Sequence, residues 1–199
     1  MTHHLTPPAP ATVVVVSGNP RPGSRTLAAA GTLASAVATR LGLETPGAGA
    51  TIDLATLAGE LLAPEHPAAD AARERLAAAT LAVVATPVHK ASYTGLLKAF
   101  LDLYGPDGLA GVVVVPLVVS GNPAHALVGE VHLRPVLVEL GAVVPTRTFT
   151  VTEPQLADLG PVVEAWLARE GGALRRAVAP VGPPEPEPAA VGAFAGATR

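Results

Sequence analysis

Runs of branched aliphatic residues place the strongest constraint on how this 199-residue chain can fold. The three clearest runs are Thr12–Ser17, Leu81–Thr86 and Val112–Ser120. They do not alternate between apolar and polar residues, as a strand with one solvated face would. Continuous apolar runs of this length are typical of parallel strands that are covered on both faces. We therefore expect a sheet that is buried between two layers of helices.

The segments between these runs have the spacing of helices. Helices are predicted over residues 24–40, 93–103, 124–140 and 161–176, with a weakly patterned helical stretch that ends at Ala79. Ser24 is well placed to cap the first helix. Two shorter strands are predicted at Thr51–Leu54 and near Val143–Val151. Five strands that alternate with about five helices favour a doubly wound, flavodoxin-like α/β fold over a longer dinucleotide-binding fold, with a five-stranded parallel sheet and helices on both faces.

The predicted domain covers residues 12–177. Residues 1–11 and 178–199 are rich in proline, and such segments favour an extended, solvated chain because they have little apolar surface to bury. We expect both to be disordered. In the predicted domain, Pro116 predicts a bulge or a gap in strand pairing. Pro135 predicts a kink or a bulge because it cannot donate to the carbonyl of Val131.

The composition excludes several classes of function. The chain has no cysteine, so disulfides, thiolate nucleophiles and iron–sulfur clusters are excluded. A net charge of −3 gives no electrostatic footprint for nucleic acid or for a membrane surface. The first residues do not have the pattern of a secretory signal, and we expect a cytoplasmic location. His125 and His132 are the nearest approach to a metal motif, but no third ligand is close in sequence, and no metal site is predicted.

A polar loop, "SGNPRPGSRT" (residues 17–26), follows the first predicted strand. It has neither the glycine fingerprint of dinucleotide-binding loops nor the Gly-Lys pair of a Walker A loop. It does offer hydroxyl groups, two guanidinium groups and the start of a helix, which are the donors that a phosphate monoester requires. The alternative, left open by the loop alone, is an ordinary polar turn with an N-cap serine.

Two further loops follow the next two long strands, with the sequences "TPVHKASYTG" (residues 86–95) and "SGNPAHA" (residues 120–126). In open parallel sheets, ligands bind beyond the carboxyl ends of the strands. Extended backbone after Pro87 and the small residues of the other loop are suited to a planar ring. Lys98 and Asp102, in the helix that follows, are interpreted as a solvated ion pair.

The three loops together resemble successive motifs of the NAD(P)H-dependent FMN reductases, over about residues 13–151. The resemblance is greatest to the branch that supplies reduced flavin to two-component monooxygenases, such as those of sulfonate desulfurisation. It implies FMN as cofactor, NADPH or NADH as co-substrate, a flavin-dependent monooxygenase as partner, and a homodimer or homotetramer. The residues it implies around the FMN phosphate are Ser17, Asn19, Arg21, Ser24, Arg25 and Thr26. Those it implies along the ribityl chain and ring are Pro87, Val88, His89, Lys90 and Ser92, with Ser120, Gly121 and Asn122 on the other side.

The sequence departs from the family pattern at two places. His89 stands where relatives often have tyrosine. Val131 and His132 stand at or beside the position of a second tyrosine, which in relatives is associated with a π-bulge at the tetramer interface. One hypothesis is that His132 takes over the role of that tyrosine, and the hypothesis we favour is that it is a surface or interface histidine without chemistry.

Reduction of a flavin by a nicotinamide needs no acid, base or nucleophile from the protein, so no catalytic side chain is predicted. Two alternatives stay open at this point. One is a reductase of quinones, azo dyes or metal oxyanions that binds FMN tightly, and the other is a flavodoxin-type electron carrier. The small negative charge argues against a carrier, since such carriers are usually strongly acidic. The choice between NADPH and NADH is not predicted, although Arg134, Arg147 or a residue of a neighbouring subunit could bind a ribose 2′-phosphate.

Overall fold

The structure, a computed structural model, describes residues 12–179, and the predicted disordered segments lie almost entirely outside this range. Its centre is a five-stranded parallel sheet. The strands are β1 (Val13–Ser17), β2 (Thr51–Asp53), β3 (Leu81–Pro87), β4 (Val113–Ser120) and β5 (Phe149–Thr152). Their order across the sheet is β2-β1-β3-β4-β5. β2 lies on one side of β1, and β3, β4 and β5 follow on the other side, which is the strand order of a doubly wound, flavodoxin-like sheet. The predicted fold class is thus confirmed.

Five α-helices cover the two faces of this sheet. They are α1 (Arg25–Leu41), α2 (Pro67–Ala77), α3 (Gly95–Leu101), α4 (Arg134–Glu139) and α5 (Gly160–Val178). Side chains of β1 alternate between the two layers, because successive residues of a strand face opposite sides. Val13 and Val15 pack with α1 and α5, whereas Val14 and Val16 pack with α2, α3 and α4. Within residues 12–179, none of the helices is long and apolar enough to cross a membrane.

Pro116 lies beside a gap in pairing, as predicted. On one side, β4 pairs with β3 without interruption, including Val84 opposite Pro116. On the other side, Val114 donates its N–H to the carbonyl of Val143, and the register with β5 begins only at Leu117. Backbone N–H groups alternate in direction along a parallel strand, so the nitrogen of Pro116 points to the same side as that of Val114, two residues earlier. This is the side towards β5, where the strand has no partner at Pro116 and no N–H donor is needed.

The predicted start of β5 was wrong. Val143 makes only an isolated bridge with Val113, and the strand begins six residues later, at Phe149. The guanidinium of Arg134 accounts for the intervening irregular backbone, because it donates to the carbonyl groups of Val144 and Thr146. Side-chain donors of this kind compete with a strand ladder for the backbone carbonyls.

The predicted helix over residues 124–140 is broken into three parts. A 3₁₀ turn covers Pro123–His125, a π-helical segment covers Gly129–Leu133, and α4 follows. Arg134 donates its N–H to the carbonyl of Gly129, five residues earlier, and the next residue, Pro135, has no N–H to donate. The distortion predicted from Pro135 is therefore confirmed, and the π-helical segment is its form.

Candidate flavin site

A cleft of about 590 Å³ lies at the edge of the sheet where the strands end. It receives residues from the loops after β1, β3, β4 and β5. Its lining residues are Asn19, Pro20, Arg21, Pro22, Gly23, Ser24, Arg25, Thr26, Pro87, Val88, His89, Val119, Gly121, Glu153 and Leu156. This edge lies where ligands bind in doubly wound sheets.

Hydrogen bonds within the loop after β1 hold it in shape. The side-chain amide of Asn19 donates to Thr26 Oγ1 at 3.0 Å, and its oxygen accepts the N–H of Arg21 at 3.0 Å. Ser17 is buried beneath the loop and accepts the N–H of Asn19 at 3.4 Å. Asp53, at the end of β2, accepts the N–H of Gly23 at 2.8 Å. The loop is thus preorganised by its own side chains and by the neighbouring strand.

The start of α1 adds further polar groups to the lining of the cleft. Ser24 is its N-cap, as predicted, and the hydroxyl accepts the N–H of Leu27 at 3.2 Å. The N–H groups of Arg25 and Thr26, in the first turn, have no acceptor within the helix. They carry partial positive charge next to two arginine side chains that are exposed. This set of donors fits a phosphate group.

Thr94 connects this first loop to the second one. It is buried, its hydroxyl donates to the carbonyl of Gly18 at 2.6 Å, and it caps α3 by accepting the N–H of Leu97 at 3.1 Å. A side chain at Gly18 would meet Leu97, because an added Cβ would lie 2.6 Å from the Leu97 Cβ. Glycine therefore allows α3 to approach the first loop closely.

The second loop is a tight two-residue turn. His89 and Ser92 exchange backbone hydrogen bonds of 2.8 and 3.1 Å, and the two residues between them, Lys90 and Ala91, have φ of 50° and 59°. Positive φ at both central positions is the geometry of a type I′ turn, which usually selects Asn or Gly. Before the turn, Val88 donates its N–H to the carbonyl of Val119. This bond fixes the extended stretch that lines the cleft.

The third loop is organised around Ser120, which is buried. Its hydroxyl lies 2.8 Å from the Asn122 carbonyl, accepts the Asn122 N–H at 3.0 Å, and lies 3.3 Å from His125 Nδ1. The side chain of Asn122 caps the following turn by accepting the N–H of Ala124. These polar groups shape the loop, and Gly121 is the part of it that lines the cleft.

The residues expected from the sequence divide into two groups. Nine line the cleft together: Asn19, Arg21, Ser24, Arg25, Thr26, Pro87, Val88, His89 and Gly121. The other five are Ser17, Lys90, Ser92, Ser120 and Asn122. Ser17 lies beneath the first loop, and Lys90 and Ser92 belong to the tight turn of the second loop. Ser120 and Asn122 make the hydrogen bonds that shape the third loop.

Sequence reasoning missed the contribution of the loop after β5. This loop is a 3₁₀ segment, Glu153–Asp158, that begins with a Thr152–Gln155 capping box. Glu153 and Leu156 line the cleft, and Glu153 Oε2 lies 2.8 Å from Arg25 Nη2. The signal was available, because a parallel β5 must end at the same edge as β1. Only the loops after three strands were considered.

Neither of the other arginines considered for nucleotide recognition lines this cleft. Arg134 donates to Glu130, Val144 and Thr146, so its donors are already engaged. Arg147 is exposed near the end of the β4–β5 connection, two residues before β5. Val131 and His132 are both exposed on the π-helical segment, and Lys98 forms the expected partly exposed ion pair with Asp102.

The fold and the cleft define a flavodoxin-like α/β protein whose site suits a planar ligand with a phosphate group. Residues 11–155 match the sequence model of the family described as NADPH-dependent FMN reductase. The chain therefore belongs to this family of oxidoreductases, as the three motifs indicated.

Comparison with known proteins gives the same result. The chain is 33% identical over 174 residues to the NADH-dependent FMN reductase SfnE of Pseudomonas putida, covering 85% of this chain and 91% of that one. It is 45% identical to the FMN reductase (NADPH) of Escherichia coli over 78 residues, 39% of this chain and 41% of the relative. The solved apo structure of the NADH:FMN oxidoreductase EMOB is similar with a TM-score of 0.66 and 30% identity, covering 83% of this chain and 87% of that chain.

Proposed function

We propose that this protein reduces FMN with NADPH or NADH and supplies the reduced flavin to a flavin-dependent monooxygenase. The observation that carries the proposal is that one cleft brings together two kinds of lining residue. Phosphate donors come from the first loop and α1, and small or extended residues come from residues 87–89 and Gly121. Membership of the FMN reductase family supports the same assignment.

In this proposal the two nucleotides supply the chemistry, a hydride transfer from nicotinamide C4 to flavin N5. The protein binds the two nucleotides and orients them. Arg21, Arg25 and the first N–H groups of α1 hold the phosphate, assisted by the hydroxyls of Ser24 and Thr26. The backbone of residues 87–89 and of Gly121 would hold the ring. The hydrogen bonds of the tight turn and of the third loop keep residues 87–89 and Gly121 in place.

Reversible binding of FMN is supported by the exposure of the groups that would bind it. Arg21, Arg25 and His89 are all exposed, and interactions between exposed charged groups contribute little because water competes for them. A flavin that is a substrate must leave after each turnover, and weak, exposed contacts permit this. A homodimer or homotetramer, implied by the family resemblance, and a cytoplasmic location, expected from the sequence, complete the proposal.

Steady-state oxidation of NADPH and NADH with FMN, FAD or riboflavin as acceptor tests this function. We expect FMN to be preferred. Replacing both Arg21 and Arg25 by glutamine should raise KM for FMN by about tenfold, as expected for the loss of charge-assisted bonds, and change riboflavin kinetics little.

Three outcomes would contradict parts of the proposal. Equal use of riboflavin and FMN by the wild-type protein would refute the phosphate assignment. Retention of FMN through dialysis, with ping-pong reduction of quinones, would favour the tightly flavinated reductase. Absence of NADPH and NADH oxidation with every flavin would favour an electron carrier.

A further inference from the structure

Arg25 has an anionic partner within the structure itself. Its Nη2 lies 2.8 Å from Glu153 Oε2, and both residues line the cleft. The side chains are 69% and 50% exposed. The guanidinium that would bind the flavin phosphate is therefore already paired, but in a solvated position where the pair is easily exchanged.

Glu153 is held at this place by the backbone of the loop after β5. It is the first residue of the 3₁₀ segment, the following Pro154 restricts its backbone, and Gln155 closes the capping box with Thr152. Its Oε1 lies 4.0 Å from the Cβ position that a side chain at Gly121 would have. The carboxylate thus reaches from the first loop towards the third.

Among the described residues that line the cleft, Glu153 is the only acidic one. A phosphate oxygen that accepts from Nη2 of Arg25 would take the place of this carboxylate. The displaced carboxylate then remains close to a phosphate of the same sign of charge. Riboflavin has the same ring and ribityl chain but no phosphate, so neither the competition for Arg25 nor the charge repulsion applies to it.

We propose that Glu153 competes with the flavin phosphate for Arg25, and that it thereby weakens FMN selectively and promotes its release. The inference rests on the proposed function, in which Arg25 binds that phosphate. Glu153 is a specificity-determining residue in this scheme and takes no part in hydride transfer. It is one physical reason why FMN would be exchanged as a substrate and not retained.

The test compares FMN and riboflavin binding to the wild-type protein and to Glu153→Gln by flavin fluorescence titration. We expect Glu153→Gln to lower the Kd for FMN by about fivefold, the size of an exposed ion-pair effect, and to leave riboflavin within about twofold. The FMN effect should shrink in 0.5 M NaCl, where the Debye length falls to about 4 Å. Glu164→Gln, which removes an exposed carboxylate on α5, is the matched control and should change neither ligand.

A double-mutant cycle with Arg25→Gln separates this inference from the function on which it rests. In the Arg25→Gln background, Glu153→Gln should lose most of its effect on FMN. If wild-type protein binds FMN and riboflavin equally and Arg25→Gln is neutral, the phosphate assignment fails, and this inference with it. If Arg25→Gln weakens FMN alone but Glu153→Gln leaves FMN unchanged, only the competition is refuted. Weaker binding of both flavins to Glu153→Gln would also refute it, because the carboxylate would then be a flavin ligand.

Discussion

Thr94 shows how one buried hydroxyl couples two loops of the candidate site. The hydroxyl both donates and accepts, to the carbonyl of Gly18 and from the N–H of Leu97. The backbone N–H of Thr94 is also engaged, with Thr86 Oγ1 at 3.2 Å. The residue therefore fixes the start of α3 relative to the end of β1. It was not among the residues expected from the sequence, because nothing in its local pattern shows a partner 76 positions away.

Replacing Thr94 by valine should destabilise the protein by about 1–3 kcal/mol, because the isosteric side chain leaves the Gly18 carbonyl and the Leu97 N–H without their partner in a buried place. Urea unfolding followed by circular dichroism measures this change. Thr94→Ser retains the hydroxyl and is the control, with a smaller expected loss. Little destabilisation by valine together with a larger loss for serine would show that packing of the methyl group, and not the hydrogen bonds, determines the result.

At the scale of elements, the connection from β4 to β5 is held by one ion pair. Arg134 Nε lies 2.5 Å from Glu130 Oε2, and the other Glu130 oxygen accepts the N–H of Thr148 at 2.6 Å. Partial burial acts to raise the pKa of Glu130, but the hydrogen bonds from Arg134 and Thr148 outweigh it, and the pKa lies below its ordinary value of 4.5. The π-helical segment is thus tied to the residues just before β5.

This shift predicts a dependence of stability on pH. A carboxyl group with a lowered pKa in the folded state contributes stability above its unfolded pKa, and this contribution is lost as the pH falls through the folded value. The free energy of unfolding should therefore fall more for the wild type than for Glu130→Gln between pH 6 and pH 3.5, in urea titrations at each pH. Arg134→Gln should reduce the same pH-dependent component. An identical acid profile for wild type and Glu130→Gln would contradict the assignment.

The sequence predicts elements best where one interaction dominates. The valine runs predicted β1, β3 and β4 because a strand buried on both faces needs apolar residues at every position. Pro135 predicted a helical distortion because a missing N–H is a local property. The start of β5 was predicted six residues too early because the deciding contact is the reach of Arg134 to Val144 and Thr146, which no local pattern records. The parallel topology already places Glu153 at the same sheet edge as the first loop, but no local pattern records its pairing with Arg25, 128 positions away.

At the scale of the whole molecule, one line of apolar side chains has no partner within residues 12–179. Leu127, Val131 and Val138 are 67%, 61% and 55% exposed, and all three lie in the stretch that contains the π-helical segment and α4. A groove between α3 and α4 has Leu101, Tyr104 and Pro135 among its lining residues. Exposed apolar surface of this kind is typical of interfaces. It supports the proposal that this stretch packs against a second copy of the chain.

Replacing Val131 by lysine should dissociate the proposed oligomer, because the new charge would be buried at the interface without a partner. We expect the dissociation constant to rise by about tenfold or more, measured by sedimentation velocity over a range of concentrations. Leu62→Lys is the matched control, since Leu62 is 90% exposed in a different loop, after β2, and its replacement should leave assembly unchanged. A protein that is monomeric before any substitution, or one that Leu62→Lys dissociates as readily as Val131→Lys, would contradict this interface.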